Sequence, residues 1–312
     1  MTYASGGLIQ AADFNNLNGA SAGTQGGGAQ MNPVWATGYS SYGYGQTAIG
    51  NVSVGGTVAA SDWATLINRL NSSRIHQSGS DTGISAPTAG TTVTYLSTLS
   101  SAISTAATNR LSMNPASSGS VAASKTLTWN VGSGSASSQT VTFSITAPSV
   151  DQMRYFWNAG GYIIITAGTF TNTGGTSRGT SMGTLFTTNF VSKRFNSASS
   201  GARGGTGGTV VTDTTASGFW SFSGITTTDW LRINSTSYYT GDYMSISTLT
   251  NGTPGSYGGN GTVTYLNVTG YSATTGSTQP PDSINASQVV TCTVYYPETT
   301  YLSNSWGTFT VT

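Results

Sequence analysis

Apolar residues follow two different rhythms along this chain, and the change from one to the other divides it near residue 116. From Lys125 onward they alternate with polar ones. The segments are KTLTWNV (Lys125 to Val131), QTVTFSITA (Gln139 to Ala147), YIIITAG (Tyr162 to Gly168), TVVTD (Thr209 to Asp213), YMSISTL (Tyr243 to Leu249), TVTYLNVTG (Thr262 to Gly270) and SQVVTCTVYY (Ser287 to Tyr296). Period-two runs of β-branched and aromatic residues, parted by glycine- and serine-rich turns, predict strands. Seven of them within about 190 residues predict an antiparallel β-sandwich rather than βαβ units. One segment breaks the series: SVDQMRYFWNAGG predicts a short helix with Ser149 as N-cap, Asp151 in the first turn and Gly160 or Gly161 as its left-handed exit. Its Met153, Tyr155, Phe156 and Trp157, beside Arg154, are expected as an apolar plug closing one end of the sandwich rather than as a binding platform.

Before residue 116 the rhythm is helical. Trp63, Leu66, Ile67 and Leu70 follow i, i+3, i+4, i+7 spacing, with Ser61 or Asp62 placed to cap the helix start. A further helix is expected from near Thr92, where Leu96, Leu99, Ile103 and Ala106 form a stripe that suits either a coiled-coil seam or ordinary helix packing. Its two heptads fall short of the three or four that mark a coiled coil.

The same region uses one device twice. SGGLIQAADFNNLNG begins at Ser5 and VGGTVAASDWATLIN at Val54; an offset of 49 residues aligns Gly6 with Gly55, Asp13 with Asp62, Phe14 with Trp63 and Leu17 with Leu66. Each copy reads as a glycine-loosened entry, an apolar contact and a capped helical turn, with Asp13 as the cap of the first and Asn18-Gly19 ending it. Neither copy holds enough apolar area to fold alone, so Leu8, Ile9, Phe14, Leu17, Val58, Trp63 and Leu66 are expected to dock elsewhere, on the later domain or on another subunit. The predicted architecture is therefore mainly β: an irregular N-terminal attachment and oligomerisation region over 1–115 with short amphipathic helices, then an antiparallel β-sandwich body over 116–312.

Composition adds an unusual surface. Only 6% of the 312 residues are charged, with 10 Lys and Arg against 9 Asp and Glu for a net charge of +1, where a typical domain has about 25% charged residues. The mean hydropathy is −0.10, so solubility rests on Ser, Thr, Asn, Gln and Gly. No run of Lys or Arg offers a footprint for nucleic acid or an anionic membrane. Such a surface repels its own copies weakly and suits a protein packed against neighbours. Aromatic residues, at 11%, supply enough area to argue against disorder. No stretch of 18 apolar residues is present and the first residues lack a signal-peptide pattern, so synthesis in a cytoplasm without cleavage is expected.

Candidate chemistry is sparse. Cys292 is the only cysteine and reads as a small buried residue on a strand. His76 is the only histidine, expected in a loop and hydrogen-bonded to its surroundings; a lone histidine argues against a zinc site, and no G-x-S-x-G elbow surrounds any serine. RGGTGG at Arg203 and NGTPGSYGGNG at Asn251 lack the strand, helix and lysine of a phosphate cradle. No catalytic residue, metal site or cofactor is expected. The acids best placed for a sugar site are Asp229 and Asp242, flanking a segment with Trp230, Tyr238 and Tyr239; with Trp220 these form the candidate glycan contact, against the plainer reading of turn residues beside strand aromatics.

YASGGLIQAADFNNL, YGYGQ, VAASDWATL, RYFWNAGG and TTYLSNSWG, the last spanning Thr299 to Gly307, together resemble a family of virion structural proteins of tailed bacteriophages, of the tail or fibre type. The resemblance touches both ends and the middle of the chain. It implies a tail, baseplate or fibre component located in the virion, assembling with its own copies, a trimer being the form that fibres favour, and with other virion proteins. It brings no catalytic motif. The alternative from the same residues is a carbohydrate- or receptor-binding module at a fibre tip, contacting a host surface glycan.

Overall fold

The computed structural model describes residues 10–19, 30–36, 43–111, 117–197, 209–213, 231–235, 239–253, 258–274 and 282–312. The chain is mainly β, with an antiparallel β-sandwich and a few short helices. It separates into two compact units. The first comprises Met1–Ser118, Arg154–Gly160 and Pro297–Gly307, and the second comprises Gly119–Met153, Gly161–Tyr296 and Thr308–Thr312.

The second unit holds both sheets. Its strands are β1 (Ser117–Val131, which joins this unit from Gly119), β2 (Ser137–Thr146), β3 (Tyr162–Asn172), β4 (Ser192–Phe195), β5 (Thr209–Asp213), β6 (Leu231–Asn234), β7 (Tyr243–Thr250), β8 (Val263–Ser272), β9 (Ile284–Pro297) and β10 (Thr310–Val311). Four run in the order β1-β9-β3-β4 and six in the order β10-β2-β8-β7-β6-β5. All seven expected segments are strands. The alternation is strict where one face is covered: in β8, Thr264, Leu266, Val268, Gly270 and Ser272 are buried while their neighbours are half-exposed.

The core lies between the sheets. Ile163, Ile165, Val290, Cys292 and Val294 come from the four-stranded sheet, and Phe143, Ile145, Ile246, Leu266 and Val268 from the six-stranded one. Trp129 of β1 crosses to the opposite sheet, where a Cβ on Gly270 of β8 would lie only 2.5 Å from its ring. Phe186 completes this packing, 5.6 Å from Trp129 between ring centroids. It sits on a π-helical turn (Leu185–Phe190) that continues the helix Ser177–Thr184.

The outer faces are laced by neutral side chains. Thr140 and Thr269 share a hydrogen bond of 2.8 Å, and the Thr142 hydroxyl donates to Asn267 at 2.7 Å. Each sheet also carries an arginine and two tyrosines stacked across three adjacent strands. Arg194 lies 3.8 Å over Tyr162, which stacks on Tyr295 at 4.8 Å, and Arg232 lies 3.5 Å over Tyr243, which stacks on Tyr271 at 4.8 Å. Ring quadrupoles attract the guanidinium in both cases.

The first unit is helical: α1 (Ala11–Asn18), α2 (Asn32–Trp35), α3 (Ala60–Ser78) and α4 (Leu96–Thr108), with the later part of α5 (Val150–Asn158). Ser149 caps α5 as expected, its hydroxyl accepting from the Gln152 N–H. The apolar cluster is buried, with Tyr155, Phe156 and Trp157 in this unit and Met153 in the second. The α4 stripe of Leu96, Leu99, Ile103 and Ala106 is wholly buried against its own unit, so it is ordinary helix packing and leaves no seam for a coiled coil.

Candidate functional site

The duplicated device is built the same way in both copies, with one correction. Asp13 and Asp62 are not the caps; each stands three residues inside its helix and reaches back to the residue before it. The Asp13 carboxylate accepts from the Gln10 N–H at 2.9 Å and that of Asp62 from the Ala59 N–H at 2.8 Å. Each satisfies a backbone donor that the helix start leaves bare and places negative charge at the positive end of the helix.

The apolar partners meet each other. Phe14 and Trp63 pack edge to face at 5.2 Å, and Phe14, Leu17, Trp63 and Leu66 are at most 3% exposed. As assembly contacts these four are corrected: they are buried inside the folded unit, which cannot offer them to a neighbour. Val58 is half-exposed, while Leu8 and Ile9 lie outside the described residues. What the second copy does offer is Val54, 98% exposed on a turn whose next residue, Gly55, has φ 78°. One groove is lined by this turn and a second begins just after it, at Thr57. One of about 540 Å³ is lined by Gln10, Ala11, Ala12 and the segment Val54 to Val58, and another of about 510 Å³ by Trp63, Ala60 and the loop Pro87 to Val93. The sequence signal for this was the apolar residue directly before Gly-Gly, read as part of an entry turn and not weighted by itself.

The lone histidine is elsewhere than expected. Helix α3 runs past it, so His76 is buried within a helix, its Nε2 2.8 Å from the Ala159 carbonyl. A carbonyl only accepts, so Nε2 carries a proton. Burial holds its pKa below the usual histidine range, against the raising effects of that carbonyl and of Glu298.

In the second unit Asp242 is a structural residue. Asp242 is fully buried where the chain enters β7; its Oδ1 accepts from the Ala273 N–H at 2.8 Å and its carbonyl from the Ser235 N–H. Burial pushes its carboxyl up to about 6, opposed by the Ala273 N–H and by the positive charge of Arg178. Arg178, missed in the sequence because its segment has no apolar period, is itself fully buried. Its guanidinium donates to the carbonyls of Asp282, Ser135 and Ala273, tying three separate turns together. Tyr239 is 4% exposed and donates to the Asp282 carboxylate at 3.2 Å; burial first, then this acid, raises its pKa. Neither Tyr239 nor Asp242 presents itself to a sugar, and Trp220, Asp229, Trp230 and Tyr238 lie outside the described residues. Cys292 is buried on β9 and its thiol is pushed up to about 12 by burial, which keeps it protonated and inert at neutral pH.

The chain matches no protein-family model, no curated protein and no solved structure. Among the described residues no three of His, Cys, Asp and Glu come together, and no helix is long and apolar enough to cross a membrane.

Proposed function

We propose that this chain is a structural component of a tailed-bacteriophage virion, in the tail, baseplate or fibre, and that it works by being held among neighbouring subunits rather than by catalysing a reaction. The observation that carries this reading is Val54. An apolar side chain 98% exposed on a glycine turn, beside a groove, stands out as the one fully exposed large apolar group among the described residues of its unit. The resemblance of the N-terminal, central and C-terminal strings to virion proteins supports it. So does the surface, since a chain with 6% charged residues keeps its copies apart only weakly.

Phe14, Leu17, Trp63 and Leu66 are taken up inside the unit, so attachment passes to this turn. Truncation would not test it, because a cut near residue 75 falls inside α3. The test is Val54→Asp. The purified variant is expected to keep the circular dichroism and unfolding midpoint of the parent, and mass spectrometry of purified particles is expected to find it depleted. Normal incorporation of a folded Val54→Asp chain would overturn this attachment.

A further inference from the structure

Three of the sandwich's four outermost strands are short: β4 has four residues, β5 five with a register shift, and β10 two. Short edges give another strand little to pair with. Behind β10, the edge of β2 is closed by two devices. The Ser144 N–H and carbonyl are both taken by Thr312, and the Lys125 ammonium donates to the Thr142 carbonyl at 2.6 Å.

β1 differs. It is 15 residues long, lies at the end of its sheet and has β9 as its one neighbour there among the described residues. Ser124 marks the β9 side, its hydroxyl 2.8 Å from that of Thr291. The stretch Ser120, Val121, Ala122, Ala123 and Ser124 has no proline and no charge, and its side chains are small and exposed or half-exposed on both faces. The one charge of the strand, Lys125, is the usual guard of such an edge, yet here its amine is drawn away over Phe143 to the β2 carbonyl.

We infer that β1 is a pairing edge for a second copy of this chain, antiparallel about a two-fold axis at Val121, joining the two four-stranded sheets into one of eight. A bare strand edge recognises another strand through its N–H and C=O groups, and a two-fold contact demands a self-complementary surface. The segment meets that demand. With Val121 facing its copy, Ser120 faces Ala122, so only small neutral side chains are opposed. The two Lys125 residues then stand eight steps apart along the ladder, roughly 26 Å at about 3.3 Å per residue, so no like charges meet. This surface is distinct from the Val54 turn, and the inference stands or falls apart from the particle reading.

Sedimentation equilibrium of the full chain and three variants tests it. The parent is expected to be a dimer. Ser120→Lys with Ala122→Lys, both at exposed positions, sets lysine against lysine twice across the axis and is expected to raise the dissociation constant at least tenfold. Ser120→Lys with Ala122→Glu sets lysine against glutamate and is expected to stay dimeric. Val121→Cys is expected to form a disulfide-linked dimer on oxidation, since facing residues bring Cα atoms within about 4.5–5.5 Å and Cys292 is buried. A monomeric parent, a double-lysine variant that associates like the parent, equal dissociation of both charge variants, or an oxidised Val121→Cys chain that forms no cross-link would each overturn the assignment.

Discussion

The rings of Phe14 and Trp63 meet edge to face, 5.2 Å apart and 84° between planes, although the two residues hold the same place in segments 49 positions apart. The two copies of one device touch each other through their rings. Both rings are buried, so truncating either to alanine is expected to cost about 3–5 kcal/mol. The double variant should cost roughly 1 kcal/mol less than the sum, from the lost ring–ring term. Urea unfolding of the four proteins measures this, and strict additivity would show that the rings do not interact.

Gly270 tests how tightly the two sheets close. It lies in β8 without a positive φ, so alanine is conformationally acceptable there, but its Cβ would sit 2.5 Å from Trp129 and 2.9 Å from Phe186. Gly270→Ala is expected to destabilise by about 1–3 kcal/mol through overpacking. Gly132→Ala, where an added Cβ meets nothing within 4 Å, should change stability by less than about 1 kcal/mol. Equal effects at the two sites would contradict the packing.

Asp242 gives the sandwich an acid-favoured stability. Its pKa rises from 3.8 unfolded to about 6 folded, so its contribution is complete below pH 3.8 and is lost as the pH climbs through 6. The span sets an upper bound of about 3 kcal/mol. Asp242→Asn keeps an oxygen for the Ala273 N–H and carries no charge. It is expected to raise the melting temperature at pH 8 and to leave it nearly unchanged at pH 4. A variant that is less stable than the parent at pH 8 would reverse the sign.

His76 works the other way in the helical unit. Its folded pKa is lowered from 6.5, so its contribution is present above pH 6.5 and falls as acid protonates the unfolded chain first. Hydrogen exchange corrected for intrinsic rate, compared at pH 7 and pH 5, should therefore show weaker protection in α3 at the lower pH, while β7 and β8 gain protection. Parallel changes in the two units would count against this division.

Legibility from sequence followed the length of each signal. The long strands announced themselves because five or more alternating residues cannot sit on a helix without exposing half of them. β4, β6 and β10, with four, four and two residues, are too short to show a period. The Trp63 helix was visible only to Leu70, because the same buried face continues through Ser73, His76 and Gln77, polar groups that a hydropathy pattern reads as solvent-facing. The duplication was legible, but its use was not. Phe14 and Trp63 looked like anchors for another chain because sequence does not show that two rings 49 positions apart meet inside one unit. Val54 was passed over because one exposed apolar residue leaves no periodic trace.

The loops of the helical unit are pinned by side-chain amides standing in for missing strands. Asn15 takes both the N–H and the carbonyl of Val52, Asn32 does the same for Ile49, Gln46 for Ser303, and Asn71 bridges Thr82 to Ile84. Neutral clamps of this kind have no ion atmosphere to lose, and dissolved electrolyte screens only charges. The unit should accordingly hold its loops equally well in fresh water and in brine.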